Sequence, residues 1–230
     1  AAGLKAAGKD VGTLASPHST LEELHLAAKL AAGLGGGVEF RLRQSDFSAE
    51  ARRAGAPWLG MPVAELSNLD RVLVVGSFLR KDHPLIANRL RQAAKRGTQV
   101  SILHSADDDL LMRIAHKLIV SPADLPAALA SIKEGASGVA GEIAASLKSG
   151  QKTAVLLGNF AQQHPHAAQL HAAAQALAEA LGATLGFLGE AANSVGGYLA
   201  GAAGAGHPFA VPRKAWLLLN AEPELDCADP

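Results

Sequence analysis

The sequence predicts an α/β fold in which parallel, doubly wound sheets are built from two tandem β-α-β units. One pattern occurs twice, in residues 72–103 and 154–188: an apolar run, a glycine, a polar stretch, His-Pro, an amphipathic helix, a second glycine and a second apolar run. The first runs, Val72–Val75 and Ala154–Leu157, are apolar without alternation, as in strands that are covered on both faces. Because a parallel strand pair needs a helical crossover, we expect helices on both faces of the sheet.

Local signals predict the remaining elements. Thr20, followed three residues later by Glu23, is a capping box that opens a helix ending near Leu30. The other predicted elements, in chain order, are an apolar run Val11–Leu14, an irregular segment from Val38 to about Pro62, a short helix Asp107–Ala115, a strand Lys117–Val120, helices Asp124–Ile132 and Val139–Leu147, a glycine-alanine loop Asn193–Pro208 and a strand Lys214–Asn220.

These elements predict three segments of the chain. Residues 1–68 form a partial preceding segment with a helix and a long loop. Residues 69–150 form the first Rossmann-like unit. Residues 151–230 form the second Rossmann-like unit, followed by the glycine-alanine loop and a C-terminal strand.

Composition argues against several classes of function. Lys plus Arg (21) equals Asp plus Glu (21), so the basic excess typical of nucleic-acid binding is missing and no nucleic-acid partner is expected. No run approaches the roughly 20 apolar residues of a membrane-spanning helix, so direct membrane insertion is not expected. The single cysteine, Cys227, leaves no disulfide framework and no cysteine-held cluster within this sequence. Without an initial Met or a signal pattern, we expect a piece of a longer cytoplasmic protein.

The two glycine turns are the candidate ligand-binding positions. Gly76 and Gly158 each follow an apolar strand, and folds of this class bind ligands at the carboxyl ends of their parallel strands. A Rossmann fingerprint needs three glycines, for the turn, for the approach of the pyrophosphate and for helix packing, whereas each turn here has one. The sequence also has no Walker lysine in either turn. Nicotinamide binding is therefore not predicted.

Candidate metal ligands and nucleophiles have simpler explanations. His164, His166 and His171 lack the three- or four-residue spacing that places side chains on one helix face, so we expect exposed or helix-capping histidines. The acidic run Asp107–Asp109 precedes a predicted helix, whose positive N-terminal end favours carboxylates without an ion. No nucleophile elbow is present. We predict no catalytic residue and no metal site within this chain.

Six peptides of the sequence carry a resemblance to a known family. They are LASPHSTLEEL at 14–24, RLRQSDF at 41–47, VVGSFLRKDHPL at 74–85, RLRQA at 89–93, LGNFAQQHP at 157–165 and EAANSVGGYLAG at 190–201. Together they resemble the G chain of bacterial NADH:quinone oxidoreductase, respiratory complex I, over nearly the whole length of this sequence. The resemblance places the sequence in the C-terminal part of that subunit, which is similar to the molybdopterin oxidoreductases, with the fold type of formate dehydrogenase and DMSO reductase.

The resemblance implies a scaffold role in NADH-to-quinone electron transfer. In that G chain, electrons pass through iron-sulfur clusters that are held by cysteines in its N-terminal part, and these cysteines are absent here. The complex I branch is regarded as having lost the molybdopterin, which implies a cofactor-free domain of the peripheral arm. Its partners would be other parts of the same subunit and other peripheral-arm subunits. Its location would be peripheral, on the cytoplasmic side of the bacterial inner membrane.

The positions that serve the pterin guanine dinucleotide in active superfamily members differ in this sequence. Where those enzymes end one strand in Asp-Pro-Arg, this sequence reads Leu103-His104-Ser105, and where they read Pro-Gly-Thr-Asp it keeps only the acid, Asp124. The resemblance thus implies vestigial cofactor positions, which are Gly76, Ser77, Arg80, His104, Asp124, Gly158 and Asn159. Two alternatives stay open: a fragment of an active molybdopterin guanine dinucleotide oxidoreductase, and a free-standing nucleotide-binding module, which the single-glycine turns disfavour.

Overall fold

The computed structural model describes residues 2–49, 55–204, 206–207 and 209–228. The helices are α1 Ala2–Ala7, α2 Leu21–Gly33, α3 Leu79–Asp82, α4 Pro84–Lys95, α5 Leu125–Glu134, α6 Val139–Lys148, α7 Asn159–Gln162, α8 Ala167–Leu181, α9 Ser194–Leu199 and α10 Pro223–Asp226. The strands are β1 Val11–Ala15, β2 Val38–Glu39, β3 Arg71–Val75, β4 Gln99–His104, β5 His116–Ile119, β6 Thr153–Leu157, β7 Thr184–Phe187 and β8 Ala215–Leu219. Val63–Asn68 and Pro122–Asp124 form 3-10 helices.

The chain forms two compact units. Unit 1 contains residues 1–56 and 189–230, and unit 2 contains residues 57–188. The division differs from the predicted segments, because both β-α-β units lie in unit 2 and the C-terminal strand lies in unit 1. The reason is strand pairing: β6 joins β3 in the sheet of unit 2, whereas β8 pairs with β1.

Unit 2 contains a five-stranded parallel sheet with the order β5-β4-β3-β6-β7. β3 lies at its centre, where Val72 pairs with Val100 of β4 on one side and with Ala154 of β6 on the other. Val72–Val75 are fully buried, as are Ala154 to Leu156 of β6. The prediction of parallel strands with Val72–Val75 and Ala154–Leu157 at the centre is confirmed.

Helices cover both faces of the unit 2 sheet. On one face α4 packs through Leu90 against a cluster that includes Val74. On the other face α5, α6 and α8 pack around a cluster that includes Leu73 and Val155. Because burial of one such aliphatic side chain stabilises a fold by about 1.5–3 kcal/mol, these two clusters supply the main driving force of unit 2. The doubly wound arrangement predicted from the tandem pattern is present.

Unit 1 contains a three-stranded parallel sheet with the order β2-β1-β8. Val11 of β1 pairs with Ala215 of β8, so strands that are far apart in the sequence lie side by side. The core of this unit is built around Leu24 of α2 and Phe40, and most of its other members are alanines. The unit 1 core therefore has less apolar volume than either cluster of unit 2.

The predicted capping box opens α2. The Thr20 hydroxyl accepts the Glu23 N–H at 3.2 Å, and the Glu23 carboxylate accepts the Thr20 N–H at 2.8 Å. The helix continues to Gly33, beyond the predicted end near Leu30. Two of the amide groups left without helical partners at the helix start are thereby satisfied.

A buried ion pair joins three segments of unit 1. Arg41 and Glu39 are each 5% exposed, and the Arg41 Nε and one terminal guanidinium nitrogen both donate to the Glu39 carboxylate at 2.7 Å. The same guanidinium donates to the Gly204 carbonyl at 3.0 Å and lies 4.9 Å from the ring centre of Phe47 and 5.7 Å from that of Tyr198. Burial lowers the pKa of Arg41, but the hydrogen bond and the charge of Glu39 outweigh it and raise the pKa above its ordinary value.

The helix predicted at Asp107–Ala115 does not form; that prediction is wrong. Residues 107–115 are irregular, and Leu111 has a positive φ of 51°. The Asp109 carboxylate accepts the Leu111 N–H at 2.8 Å. This local side-chain bond replaces a helical backbone bond, which is how aspartates compete with helix formation.

The segment predicted as the glycine-alanine loop Asn193–Pro208 contains a helix, α9, so the prediction of a loop is wrong there. Gly197 of α9 lies against the ring of Phe40, and a Cβ at this position would come within 2.5 Å of the ring. The glycine serves close packing of the helix, which composition alone does not reveal. Residues 205 and 208, like residues 50–54 of the predicted irregular segment, lie outside the described residues.

The segment predicted as irregular from Val38 to about Pro62 begins with strand β2, Val38–Glu39, so the prediction is wrong there; pairing with the distant strand β1 gives no local sequence signal. Several other predicted elements are confirmed with small shifts of their ends. They are the apolar run at β1, the strands at β5 and β8, and the helices α5 and α6, with Pro126 in the first turn of α5. Within the described residues, no helix combines the length and apolar content needed to cross a bilayer.

Candidate functional site

Most of the predicted site residues meet at the carboxyl edge of the unit 2 sheet. Gly76 and Ser77 follow β3, His104 ends β4, and Gly158 and Asn159 follow β6. After β3 the chain enters α4 on one face of the sheet, and after β6 it enters α8 on the other face. The position between β3 and β6 is therefore the topological switch point, where sheets of this class bind ligands.

The turns on either side of the switch point pack directly against each other. The Gly158 N–H donates to the Val75 carbonyl at 2.9 Å, and the Ala161 N–H donates to the Gly76 carbonyl at 3.1 Å. A Cβ on Gly158 would come within 2.2 Å of the Ser77 Cβ, and one on Gly76 within 2.7 Å of the Ala161 nitrogen. Gly76 also has a positive φ of 57°. Each glycine is thus needed for contact between the two turns.

His104 is buried among aromatic rings at this edge. It is 2% exposed, its ring centre lies 4.6 Å from that of Phe78 and 5.2 Å from that of Phe160, and both contacts are edge-on. Neither ring nitrogen of His104 has a hydrogen-bond partner among the described residues. Burial lowers the pKa of His104, although Asp108 and Asp82 act in the opposite direction. Burial thus favours the neutral form of this imidazole.

Other polar atoms near the switch point also lack partners. Ser77 Oγ and Asn159 Oδ1, which occupy equivalent positions in the two copies of the repeat, are buried without a hydrogen bond to the described residues. Ser105 Oγ, in the residue after His104, is likewise buried without a hydrogen bond to the described residues. Unpaired buried groups of this kind cost about 1–3 kcal/mol each, so their presence in equivalent positions marks the site as polar.

Two of the predicted residues lie apart from this group. Arg80 is exposed on α3, and Asp124 is exposed in the turn after β5, where its carboxylate accepts a hydrogen bond from the Ser121 hydroxyl at 2.6 Å. Among the described residues, neither has a hydrogen bond or ring contact with His104, Phe78 or Phe160. The structure therefore brings together five of the seven predicted positions.

Comparison with known proteins identifies the family. The model of the molybdopterin oxidoreductase family matches residues 2–229. The chain belongs to the molybdopterin oxidoreductase family. Its two parallel sheets agree with the fold expected for this family of oxidoreductases. No curated protein matches the chain.

A solved structure shares the fold of this molybdopterin oxidoreductase domain. It is a chain of the formyltransferase/hydrolase complex from Methylorubrum extorquens, determined in complex with methylofuran, with a TM-score of 0.55 and 16% sequence identity. The match covers 81% of this chain and 56% of that chain, so this chain spans little more than half of the other's length. At this identity the likeness shows the fold alone.

His164 of the second copy has a structural role in the molybdopterin oxidoreductase domain. His164, expected to be exposed or capping, is 6% exposed; its Nδ1 accepts the His166 N–H at 3.0 Å and its Nε2 lies 2.9 Å from the Pro122 carbonyl. It therefore joins the start of α8 to the turn after β5. Among the described residues, no group of three or more His, Cys, Asp or Glu side chains is placed to hold a metal ion.

Sequence reasoning missed the aromatic part of the site. Phe78 and Phe160 each lie two residues after the glycine of their copy and have ring centres 6.1 Å apart. Gln162 was missed as well: its side-chain amide donates to the Leu157 carbonyl at 3.0 Å and the Leu188 carbonyl at 2.7 Å, which ties the ends of β6 and β7 together. The matching spacing Gly-Ser-Phe and Gly-Asn-Phe was the signal that could have revealed the ring pair.

Proposed function

We propose that this chain is a cofactor-free scaffold domain of the G subunit of NADH:quinone oxidoreductase, respiratory complex I. The family membership supports a molybdopterin-enzyme-like domain. The finer assignment is supported by the six peptides that resemble the complex I G chain, among them VVGSFLRKDHPL at 74–85 and LGNFAQQHP at 157–165. In this role the domain fills out the peripheral arm and carries no reacting group of its own.

The observation that carries the proposal is the burial of His104 at the end of β4. Active members of the superfamily use an acid at this position to serve the nucleotide, whereas burial favours the neutral form of His104, which packs against Phe78 and Phe160. An imidazole packed edge-on against two phenyl rings does not replace a carboxylate that accepts hydrogen bonds from ribose hydroxyls. The local chemistry therefore favours packing over nucleotide binding.

The contacts at the switch point also favour packing over nucleotide binding. A pyrophosphate needs convergent backbone N–H groups or basic side chains at the carboxyl edge. Here the N–H groups of Gly158 and Ala161 already donate to the carbonyls of Val75 and Gly76. Of the basic side chains that follow β3, Arg80 is exposed on α3, and the Lys81 Nζ lies 5.6 Å from the ring centre of Phe78. These residues fit a pterin guanine dinucleotide poorly, and we assign no step of chemistry to one.

In the proposed assembly, electrons travel outside this domain. One cysteine cannot hold an iron-sulfur cluster, and the pKa of the Cys227 thiol is raised by burial and by Asp226 and Glu224, which disfavours the thiolate that binds metals. The clusters would lie in the N-terminal part of the parent subunit. The partners would be that part and other peripheral-arm subunits, on the cytoplasmic side of the bacterial inner membrane, with no nucleic acid and no direct membrane insertion.

Cofactor content tests the cofactor-free part of the proposal. The protein is produced in molybdate- and tungstate-supplied bacteria, denatured, and assayed for both metals and for fluorescent oxidised pterin. We expect neither the metals nor the pterin to be present at one molecule per chain. The His104→Asp variant, which places an acid at this position, serves as the matched comparison. Stoichiometric metal or pterin in the unaltered protein would overturn the assignment.

A second experiment tests the complex I part. The chromosomal gene is tagged in its native host, membranes are solubilised mildly, and native gels are stained for NADH dehydrogenase activity. We expect the tagged protein to migrate with that activity, whereas the purified 230-residue protein alone should not reduce ferricyanide with NADH. Migration elsewhere would separate the chain from complex I while leaving its family membership intact.

A fragment of an active molybdopterin guanine dinucleotide oxidoreductase is the second candidate. It is favoured by Ser77 Oγ and Asn159 Oδ1, which lie without partners on both sides of the switch point and could meet a polar ligand. The same metal and pterin assay distinguishes it from the scaffold. Stoichiometric cofactor would promote this candidate.

A further inference from the structure

The outer side of α4 is basic. Leu90 of this helix packs into the core of unit 2, whereas Asn88 and Gln92 lie on the opposite side and are exposed. In α4 and the residue after it, every charged side chain is basic and exposed, and these are Arg89, Arg91, Lys95 and Arg96. We call these four side chains the basic face of α4.

The charge of the basic face is unpaired in the part of the chain that the structure describes. Arg89, Arg91 and Lys95 take part in no ion pair there. The Arg96 guanidinium donates to the uncharged Ser67 carbonyl at 3.1 Å. Since like charges four residues apart, such as Arg91 and Lys95, destabilise a helix, the face does not serve the folding of α4.

The elements next to α4 leave this excess of positive charge in place. The short helix α3 before it carries exposed Arg80 and Lys81 and one exposed acid, Asp82. Glu65, on the 3-10 helix that packs against α4, is exposed and accepts a hydrogen bond from the Asn68 side chain at 3.1 Å. The chain as a whole has no net charge, so the basic face is a local feature.

Leu85 adds an exposed apolar group beside the basic face. It is 80% exposed, more than any other large apolar side chain among the described residues, and it lies one helical turn before Arg89. Surfaces that bind other proteins combine apolar anchors with arginine, which is enriched there, whereas lysine is depleted. Three of the four members of the basic face are arginines.

The composition of this surface favours a protein over a membrane or a nucleic acid. An interfacial membrane helix inserts its apolar face, but that of α4 is buried in the core of unit 2. A nucleic-acid partner calls for a basic excess over the whole domain, which the balanced charge of this chain lacks. The planar fork of arginine binds a carboxylate through two hydrogen bonds, so this face suits Asp and Glu side chains.

We propose that the basic face of α4, together with Leu85, is a docking surface for a carboxylate-rich surface of a partner subunit. Complementary charge steers the encounter of separately made chains, and Leu85 supplies an apolar contact beside the charges. The identity of the partner as a peripheral-arm subunit rests on the proposed function, whereas its acidic character rests on α4 alone.

Binding of fluorescently labelled poly-L-glutamate to the purified 230-residue protein tests the acidic character. We expect binding that weakens as salt rises, and that Arg89→Glu with Arg91→Glu weakens by about tenfold or more. Lys133→Glu with Lys148→Glu, which reverses two exposed charges on α5 and α6, is the matched control and should bind as the unaltered chain does. Circular dichroism checks that both variants fold.

Three results of this assay would overturn the proposal. The first is no binding. The second is an equal loss in the two variants, because net charge rather than the basic face would then be responsible. The third is tighter binding of phosphatidylglycerol vesicles or duplex DNA than of poly-L-glutamate, which would exclude a protein as the occupant.

Crosslinking in membranes of the native host tests the partner subunit. The photoreactive residue p-benzoylphenylalanine replaces Leu85 or, as the control, Val139 on α6. We expect position 85 to crosslink to another protein chain through a peptide rich in Asp and Glu, and Arg89→Glu with Arg91→Glu to abolish this product. No crosslink, or one to a lipid, to the same chain or to a peptide without excess acid, would overturn the docking surface. An acidic partner in a chain that migrates apart from NADH dehydrogenase activity would refute complex I and retain the docking surface.

Discussion

In unit 2 the central strand β3 is paired on both sides and Val72–Val75 are fully buried, whereas in unit 1 no residue of β8 is fully buried. The helices of unit 2 cover its sheet with Leu, Ile and Ala side chains, and the strands add valines. Unit 1 has a smaller apolar cluster of Leu24, Val38, Phe40 and alanines, and it also contains the buried ion pair of Glu39 with Arg41. The same parallel architecture is thus stabilised by two large apolar clusters in unit 2, and by a smaller apolar cluster together with a buried ion pair in unit 1.

The chain offers a separate reporter for each side of this comparison. Its two tryptophans are Trp58 in unit 2 and Trp216 in unit 1. The Trp58 carbonyl accepts the Phe187 N–H of β7 at 2.9 Å, and the Trp216 ring lies over Gly12 of β1. Trp58→Phe and Trp216→Phe backgrounds therefore allow each unit to be followed alone during unfolding by urea.

Breaking the ion pair should give the largest effect. Glu39→Gln leaves the Arg41 guanidinium buried without its carboxylate, and we expect the free energy of unfolding of unit 1 to fall by about 3–5 kcal/mol. The measurement is Trp216 fluorescence in the Trp58→Phe background. Glu134→Gln, which removes an exposed carboxylate at the end of α5, is the control. An unchanged unit 1 transition would mean that apolar burial alone stabilises this unit.

Removing central apolar volume should affect unit 2 next. Leu73→Ala deletes a fully buried side chain of β3, and the lost burial together with the cavity should cost about 3 kcal/mol. Trp58 fluorescence in the Trp216→Phe background reports the loss. Leu85→Ala, at an exposed position on α4, should change little. A larger loss in unit 1 than in unit 2 would contradict the assignment of Leu73 to the unit 2 core.

Acid should weaken unit 2 through His104. The pKa of this residue is lowered by burial below its ordinary value of 6.5, so the unfolded chain binds the proton more readily than the folded chain. The contribution of His104 to the free energy of unfolding is fully present above about pH 6.5. It is lost as the pH falls below that value, by at most about 1.4 kcal/mol per pH unit. This slope is measured by urea unfolding of unit 2 at several pH values from about 7.5 down to about 5.

His104→Phe is the control for the pH measurement, because the added ring keeps the contacts with Phe78 and Phe160 while removing the titrating group. Its slope for unit 2 should be smaller than that of the unaltered chain. Equal slopes in the two proteins would assign the pH dependence to other histidines.

The smallest effect is expected at the start of α2. Thr20→Ala removes the hydroxyl that accepts the Glu23 N–H, and we expect unit 1 to lose about 1 kcal/mol. Thr20→Ser keeps the hydroxyl and should retain most of the stability. If both variants lost the same amount, the threonine methyl group rather than the cap would be responsible.

The sequence predicted unit 2 far better than unit 1, and the reason is the range of the contacts. The repeated strand, glycine, helix and strand pattern is local, so the pairing of β3 with β4 and of β6 with β7 could be read from consecutive segments. Pairing of β1 with β8 joins distant segments and leaves no local pattern. The helix α9 was missed because Gly197 is required by the ring of Phe40, a contact made only in the folded unit.

The candidate site was predicted in position but not in character. Gly76 and Gly158 were recognised as strand ends, and their meeting at one edge follows from parallel pairing. The sequence did not show that the two turns pack on each other or that Phe78 and Phe160 contact His104. Both contacts depend on side-chain directions, which the spacing of residues does not give. The sequence showed that position 104 holds a histidine where active family members have an acid. It did not show that this histidine is buried.

The insertion of unit 2 between the two segments of unit 1 has a consequence for synthesis on the ribosome. Every strand of unit 2 has been made once Leu188 emerges, so this unit can complete its sheet while translation continues. β1, in contrast, emerges before unit 2 and waits roughly 200 residues for β8, with the side that pairs with β8 open in the meantime. The nascent chain therefore has a vulnerable interval, in which binding of β1 by a chaperone would protect it from aggregation until β8 arrives.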